Sequence, residues 1–159
     1  MLMQTRFIDQ ALLSELLCAA EQAPRQRKNF NFHTADDASC HRLLNALQPN
    51  SYVQPHCHLS VDKAETMVVL TGQMGVLIFN AEGEVIEQKV IAAGGDCLGI
   101  DIAPGVFHSL VALAPTVFFE AKAGPYIPVA SHERATWAPA EGEAGAFEYL
   151  AWMRSLFEV

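Results

Sequence analysis

The chain has 159 residues, of which 51% are apolar and 18% are charged. Its 18 acidic residues outnumber its 10 basic residues, which gives a net charge of −8. An acidic surface repels phosphate backbones and anionic membranes, so the composition excludes nucleic acid and membrane surfaces as expected partners. A chain of this length can bury enough surface to fold without disulfides or metal, and we predict one domain over residues 1–159.

The first predicted element is a helix over residues 9–22, because leucines recur at helical spacing and Pro24 ends the pattern. Arg6 before this leucine-rich run is a feature of secretory signals, but Asp9 and Glu15 interrupt the apolar stretch. We therefore interpret the segment as an amphipathic helix of a cytoplasmic protein. The four cysteines, at positions 18, 40, 57 and 97, form no C-x-x-C pair, which favours free thiols in a reducing compartment.

From residue 29 to residue 122 short apolar or alternating runs follow one another, separated by Pro, Gly, Asn and Asp. The predicted strands are Arg42–Leu47, Tyr52–His56, Thr66–Thr71, Met74–Phe79, Val85–Ile91, Cys97–Ile102, His108–Leu113 and Val117–Ala121. A parallel sheet would need crossover helices, for which there is no room, so the pattern predicts a closed or sandwiched antiparallel β-fold. A loop and a second helix, over residues 144–157, complete the chain in the region 124–159.

The chemically informative segment is Pro55-His56-Cys57-His58. Alternate side chains of an extended strand share a face, so His56 and His58 can point into one cavity while Cys57 points away from it. Neutral imidazoles bind zinc, iron, nickel or copper, and a neighbouring carboxylate completes a site with open positions. Glu65, at the start of the next predicted strand, could supply that carboxylate.

The surrounding spacing resembles the two short motifs of the cupin superfamily. Gly72 follows Glu65 where a strand must turn, and a later histidine stands three residues after Gly105. The metal ligands that this resemblance implies are His56, His58, Glu65 and His108. It also implies a cupin-type antiparallel β-barrel or jelly roll, with flanking N- and C-terminal helices, around one divalent ion such as Fe, Zn, Ni or Mn. The loop between His58 and Glu65 is longer than in the family motif.

A closer resemblance extends over nearly the whole chain. The segments that look like WbuC-type cupin-fold metalloproteins are Arg25–His33, Arg42–Leu47, Tyr52–His56, the region around His108, Gly124–Tyr126 and Trp137–Gly142. These are small bacterial proteins associated with O-antigen and other surface-polysaccharide gene clusters. The resemblance implies a link to sugar metabolism and a small ligand of the sugar or nucleotide-sugar type, without specifying a reaction.

Further candidates for binding a substrate or orienting a ligand are Asn31, His33, Arg42, Tyr52 and Glu120. Alternation places Asn31 and His33 on one face near the barrel mouth, with an exposed linker as the alternative interpretation. Arg42 and Tyr52 could recognise an anionic or sugar-like molecule, with packing or a surface ion pair as the alternative. His33, Tyr52 and Glu120 are also the candidates for a general acid or base beside the metal.

The other histidines and cysteines are predicted to have no part in the chemistry. His41 and His132 lack a motif and are predicted at the surface, while Cys57 and Cys97 are predicted to be small buried hydrophobic residues.

Two classes of function stay open at this point. In the first, the metal acts as a Lewis acid in isomerisation, epimerisation or lyase chemistry on a sugar, or, if it is iron, activates oxygen in a dioxygenase. In the second, the protein is a non-catalytic module that binds a carbohydrate or another small molecule. Because small barrels of this family pair through edge strands, we expect a homodimer.

Overall fold

The structure is a computed structural model that describes residues 5–158. Residues 1–4 and 159 of the predicted domain lie outside the described residues. In chain order the elements are α1 Gln10–Gln22, β1 Arg27–Asn31, β2 Cys40–Leu47, β3 Glu65–Thr71, β4 Gln73–Phe79, β5 Val85–Ala92, β6 Gly99–Ile102, β7 Phe107–Ala112, β8 Thr116–Ala123, a short 3-10 helix Ser131–Glu133, and α2 Ala146–Ser155.

The strands form two antiparallel sheets that pack face to face. One has the order β1-β2-β8-β3-β6 and the other the order β5-β4-β7. Apolar side chains from both sheets fill the space between them, among them Met67, Val76, Leu110 and Phe118. This antiparallel sandwich, with one helix before the first strand and one after the last, confirms the predicted fold class of a mainly β protein with flanking helices.

The closed form of the predicted barrel is wrong. Among residues 5–158 no strand ladder joins the two sheets. The segment around His56 lies beside β7 and makes isolated bridges to His108 and Arg134, where a barrel would need a continuous ladder.

Helix α1 covers the outer face of the larger sheet. It begins where the Asp9 side chain accepts a hydrogen bond from the Leu12 backbone N–H at 2.9 Å, and it ends at the residue before Ala23. Its buried face, with Leu13 and Leu16, packs against Leu44 and neighbouring residues of β2 and β8. The spacing that predicts a helix over residues 9–22 therefore corresponds to a helix with one face in the core.

Helix α2 covers the outer face of the smaller sheet, where Leu150 and Met153 pack against Leu77 and Val111. It begins at Ala146, two residues after the predicted start, because Gly145 has a positive φ of 94° that a helix cannot include. Within the described residues, neither helix has the length and apolar character needed to cross a membrane.

Strand β1 is absent from the sequence prediction. Its residues are Arg-Lys-Asn-Phe-Asn, in which Phe30 alone is apolar, so no alternating pattern marks a strand. The strand exists because its backbone pairs antiparallel with β2, from Arg27 opposite Leu47 to Asn31 opposite Leu43.

The predicted strand Tyr52–His56 is wrong, because this segment is extended without a ladder. Two of its carbonyls are satisfied by side chains: Arg27 Nη1 donates to the Tyr52 carbonyl at 2.8 Å, and Ser109 Oγ donates to the Val53 carbonyl at 2.7 Å. Pro55 has no backbone N–H to contribute to a ladder.

The close approach of β6 to β3 gives a stability prediction. A Cβ at Gly99 would lie 2.1 Å from the Met67 carbonyl oxygen, so Gly99→Ala forces the two strands apart. We expect the free energy of unfolding to fall by about 1–3 kcal/mol, measured by urea denaturation. Gly95→Ala is the control, because a Cβ there lies no closer than 3.2 Å to its neighbours. Equal effects of the two substitutions would contradict the packing described here.

Candidate metal centre

The backbone around residues 56–58 is held from both sides. The His56 and His108 backbones exchange two hydrogen bonds, from His56 N to His108 O at 3.1 Å and from His108 N to His56 O at 2.9 Å. The Gly105 N–H donates to the His58 carbonyl at 2.7 Å, and on the other side the Cys57 N–H donates to the Glu133 carbonyl at 2.8 Å. This pairing keeps the segment extended, so His56 and His58 share a face.

The four predicted ligands come together at one end of the sandwich. One ligand atom from each of His56, His58 and Glu65 lies within 4.8 Å of the other two. Glu65 Oε1 is 3.2 Å from His58 Nε2, and Glu65 Oε2 is 3.1 Å from His108 Nε2. The rings of His56 and His108 have their centroids 4.7 Å apart. Three elements therefore supply the cluster: the 56–58 segment, the first residue of β3 and the start of β7.

Two of the histidines have a tautomer that the backbone fixes. His56 Nδ1 lies 2.9 Å from the Gln54 carbonyl oxygen, and His108 Nδ1 lies 2.9 Å from the Val106 carbonyl oxygen. A carbonyl oxygen only accepts, so each Nδ1 carries the hydrogen and donates it. In the neutral ring each Nε2 is then left with a lone pair, which is the form that binds a metal ion.

Several buried polar atoms of the cluster lack a hydrogen bond, namely His58 Nε2, Glu65 Oε2 and His108 Nε2. Their mutual contacts have the length of hydrogen bonds but not the alignment. Burying a polar atom without a partner is costly, so three such atoms in one place indicate a missing partner. An imidazole and carboxylate donor set suits a divalent transition metal ion, and these residues fit one.

The electrostatics favour the protonation states that ligation requires. Burial, reinforced by the neighbouring His108, lowers the pKa of His56 to about 4, so this imidazole is neutral at pH 7. Burial alone would raise the pKa of Glu65, but its contacts with His108, His58 and Lys122 outweigh burial and lower it. The centre thus presents neutral imidazole and an ionised carboxylate.

A second cluster of polar side chains adjoins the four predicted ligands. Lys122 Nζ lies 3.1 Å from Glu65 Oε1 and 2.8 Å from Glu120 Oε1, and Asn45 Nδ2 donates to Glu120 Oε2 at 2.6 Å. Burial raises the pKa of the Glu120 carboxyl, and the neighbouring Glu65 raises it further, against the opposing charge of Lys122. Burial would lower the pKa of Lys122, but the charges of Glu120 and Glu65 outweigh burial and raise it.

These groups line one cavity of about 380 Å³, which contains all four predicted ligands together with Glu120 and Lys122. Its remaining wall includes the apolar side chains of Val53, Leu110 and Phe118. A mostly apolar cleft with a few convergent polar groups is the usual form of a small-molecule site.

Asn31 and His33 line a separate, polar cavity of about 320 Å³ that adjoins the first. The two cavities share the lining residues His41, Asn45, Glu120, Lys122 and Tyr126. The structure therefore brings Glu120 beside the ligand cluster, and Asn31 and His33 into the adjoining space.

The predicted surface position of His41 is wrong, because its side chain is buried. Its ring stacks on His33 with a centroid distance of 4.0 Å, and its Nε2–H donates to the Asp36 carbonyl at 3.0 Å. The stacking contact and the hydrogen bond replace contacts with solvent, so the His41 ring can be buried. His132, by contrast, is exposed as predicted.

Arg42 and Tyr52 lie outside the cavity linings. Arg42 is exposed, and Tyr52 packs beneath α2, where its hydroxyl donates to the Pro139 carbonyl at 2.7 Å. All four cysteines of the chain are free thiols, with Cys57 buried and Cys97 partly buried.

Lys122 and Asn45 were not predicted, although one signal for Lys122 exists in the sequence. Glu120 and Lys122 are two residues apart in a predicted strand and its continuation, so they share a face. The pairing that sets Lys122 opposite Glu65 is a matter of register between β8 and β3, which local sequence does not specify.

A ligand substitution tests the metal centre. We expect tag-free wild-type protein to bind one divalent ion per chain, and His108→Ala to weaken that binding roughly 100-fold or more, measured by competition with a metal-sensitive chelator. The domain should stay folded, which circular dichroism checks, because the apolar contacts between the sheets stabilise it without a metal ion. His132→Ala is the matched control on an exposed histidine. Unchanged affinity in both His108→Ala and His58→Ala would contradict the assignment.

The neutral state of His56 predicts a pH dependence of the metal-free protein. The folded pKa of about 4 lies below the ordinary value of 6.5, so between these values the unfolded chain binds a proton that the folded chain does not. The free energy of unfolding should therefore fall as the pH drops from 6.5 to 4, by up to about 3 kcal/mol from this group. His56→Gln should flatten that slope in denaturation series across this range. An identical slope in the two proteins would contradict the burial of a neutral imidazole.

Comparison with known proteins adds a few similarities. The chain is similar in structure to a conserved protein of unknown function from Streptococcus pyogenes, with 13% identity over 68% of this chain and 86% of that one, at a TM-score of 0.49. It is also similar to a variant of Bacillus subtilis oxalate decarboxylase, with 18% identity over 61% of this chain and 24% of that one, at a TM-score of 0.46. It is similar as well to the formate complex of Lactobacillus farciminis oxalate decarboxylase, with 21% identity over 58% of this chain and 25% of that one, at a TM-score of 0.44.

The chain thus spans about a quarter of the length of these two decarboxylases. No curated protein matches it. A family model described as a domain of unknown function, DUF6016, matches residues 8–91, from α1 to the end of β5. This match extends over more than half of the chain, and the chain belongs to the DUF6016 family.

Proposed function

We propose that this protein binds one divalent metal ion through His56, His58, Glu65 and His108 and that the ion holds a small, oxygen-rich molecule in the adjoining cavity. The observation that carries the proposal is the set of three buried ligand atoms without a hydrogen bond, in a cluster where two further contacts fix the histidine tautomers. When bound, a divalent ion supplies Lewis acidity to a carbonyl or hydroxyl oxygen. Fe, Zn, Ni and Mn all accept such a donor set.

The polar space beside the cluster supports a sugar-like ligand. Asn29, Asn31, His33 and Asn45 line the second cavity, and their amide and imidazole groups suit a molecule with several hydroxyls. The sequence resemblance to WbuC-type proteins supports the same class, a sugar or nucleotide sugar of surface-polysaccharide metabolism. The free thiols support a cytoplasmic location.

Glu120 supports a catalytic role over plain binding. Its Oε1 is buried without a well-aligned hydrogen bond, and burial raises the pKa of its carboxyl. A buried carboxyl with a raised pKa can exchange a proton with a ligand in the cavity. The pKa of Glu65 beside it is lowered instead, so the two carboxyl groups are shifted in opposite directions and suit different tasks. Lys122 keeps both carboxylates in place through its two ion pairs.

The experiment compares metal-loaded wild type with Glu120→Gln on a panel of free hexoses and nucleotide-activated hexoses. We expect calorimetry to show metal-dependent binding of a panel member to both proteins, and NMR of the ligand to show its conversion by wild type alone. Ligand binding should be lost after a chelator removes the metal, which checks that binding depends on the metal. The exposed Glu148→Gln serves as control.

Other results of the same experiments would assign the protein to a different class of function. Binding without conversion in both proteins would assign a non-catalytic carbohydrate module. Ligand-dependent oxygen uptake by the anaerobically iron-loaded protein would assign a dioxygenase. The absence of any metal-dependent binding would contradict the proposal.

A further inference from the structure

A third cavity, of about 380 Å³, adjoins the two cavities of the candidate site. It shares Arg27 and Asn45 with the cavity that contains the predicted metal ligands, and Asn29 with the polar cavity beside it. Its charged lining residues are Arg25, Arg27 and Lys28, which fall within four consecutive positions of a chain whose net charge is −8. A local excess of positive charge in an acidic protein indicates an anionic ligand.

The residue between the two arginines has an unusual backbone conformation. Gln26 has a φ of 55°, in the left-handed region that residues other than glycine rarely adopt. Its side-chain amide donates to the Glu21 carbonyl at 2.8 Å, and its backbone N–H donates to the Ala23 carbonyl at 2.9 Å. Such costly conformations are concentrated at ligand-binding sites. These bonds fix the turn from α1 into β1, and with it the positions of Arg25 and Arg27.

Both guanidinium groups contact one carboxylate. Arg25 Nε donates to Glu141 Oε1 at 2.6 Å, and Arg27 Nη2 donates to Glu141 Oε2 at 2.8 Å. Two positive charges thus share a single negative charge, which leaves one positive charge uncompensated. Burial lowers the pKa of Arg27 despite the contact with Glu141, so this carboxylate does not fully offset the cost of burying the guanidinium.

Donors for a further anion remain after these contacts. Arg25 contacts Glu141 through Nε and Nη2, which leaves its Nη1 group as a donor. Within residues 5–158 the Lys28 ammonium forms no ion pair. The planar fork of a guanidinium matches the oxygens of a phosphate group, and a phosphate has more negative charge than the one carboxylate already present. The arginine pair therefore suits phosphate.

We infer that Arg25 and Arg27 bind the phosphate group of a phosphorylated small molecule, whose uncharged part extends past Asn45 into the cavity of the metal centre. Asn45 lines all three cavities and donates to Glu120 Oε2 at 2.6 Å, so it connects the arginines with the metal-centre cavity. The acidic surface repels a long polyanion, which favours a small molecule. The position of the uncharged part rests on the proposed function, whereas the phosphate site does not.

Pyrophosphate binding by the metal-free protein tests the phosphate site, because the anion then has no metal ion to bind instead. Calorimetry at low salt should show binding by wild type, and Arg25→Ala should weaken it roughly tenfold or more, since a charged donor is lost. Arg25→Lys should weaken it less, because the charge remains. Lys89→Ala removes an exposed positive charge on β5 and serves as the matched control without effect. Circular dichroism checks that the variants are folded.

The metal-loaded protein tests whether one molecule occupies the phosphate site and the metal-centre cavity. In a panel of hexose 1-phosphates, we expect at least one member to bind roughly tenfold tighter than inorganic phosphate, because its hexose adds contacts in the adjoining cavity. Arg25→Ala should weaken the binding of that member as well.

Three results would overturn the inference. Absence of pyrophosphate binding by wild type would exclude a phosphate site. Binding that Arg25→Ala leaves unchanged would place the anion elsewhere. Equal affinities for inorganic phosphate and every hexose 1-phosphate would assign the site to free phosphate. The pyrophosphate titration needs no metal, so its failure is distinguishable from a failure of the proposed function, which would appear as a lack of metal-dependent binding.

Discussion

The candidate metal centre depends on the pair of backbone hydrogen bonds between His56 and His108. These bonds hold an irregular segment against the first residues of β7, and so they set two imidazole rings side by side although 52 positions separate them in the chain. Each ring then donates its Nδ1–H to the carbonyl two residues before it, at Gln54 and Val106. The backbone thereby decides both where the rings lie and which nitrogen is free, before any metal is bound.

The same end of the sandwich contains an unusual amount of buried charge. Glu65, Lys122 and Glu120 form a continuous row on the inner face of the larger sheet, with Asn45 at its end. Buried ion pairs stabilise a fold little compared with apolar packing, so their presence is better explained by a role in binding or chemistry. Stability comes from elsewhere: from the apolar contacts between the sheets and from the two helices on their outer faces. Because the fold is stabilised by apolar contacts and not by the buried charges, the protein can have a polar cavity and still keep a stable core.

Local sequence patterns predict many features of the fold and the candidate site. The other features depend on pairing between strands that are far apart in the chain. Alternation along residues 56–58 is enough to set two imidazoles on one face, and the leucine spacing marks α1. Strand β1 has no apolar alternation and exists only through its ladder with β2. The position of Lys122 opposite Glu65 depends on the register of β8 and β3. His41 is buried because its ring stacks on His33 and donates a hydrogen bond to the Asp36 carbonyl. No sequence pattern around His41 indicates these contacts.

The central claim is that the fold presets the Nε2 lone pairs of His56 and His108 for a metal ion. Long-range ¹H–¹⁵N NMR of the histidine side chains in metal-free protein tests it directly, because the two tautomers differ in their nitrogen shifts. The account predicts the Nδ1–H tautomer for both residues near pH 7, and a change in both Nε2 shifts when one equivalent of Zn²⁺ is added. The Nε2–H tautomer in either ring, or Nε2 shifts that do not respond to the metal, would contradict it.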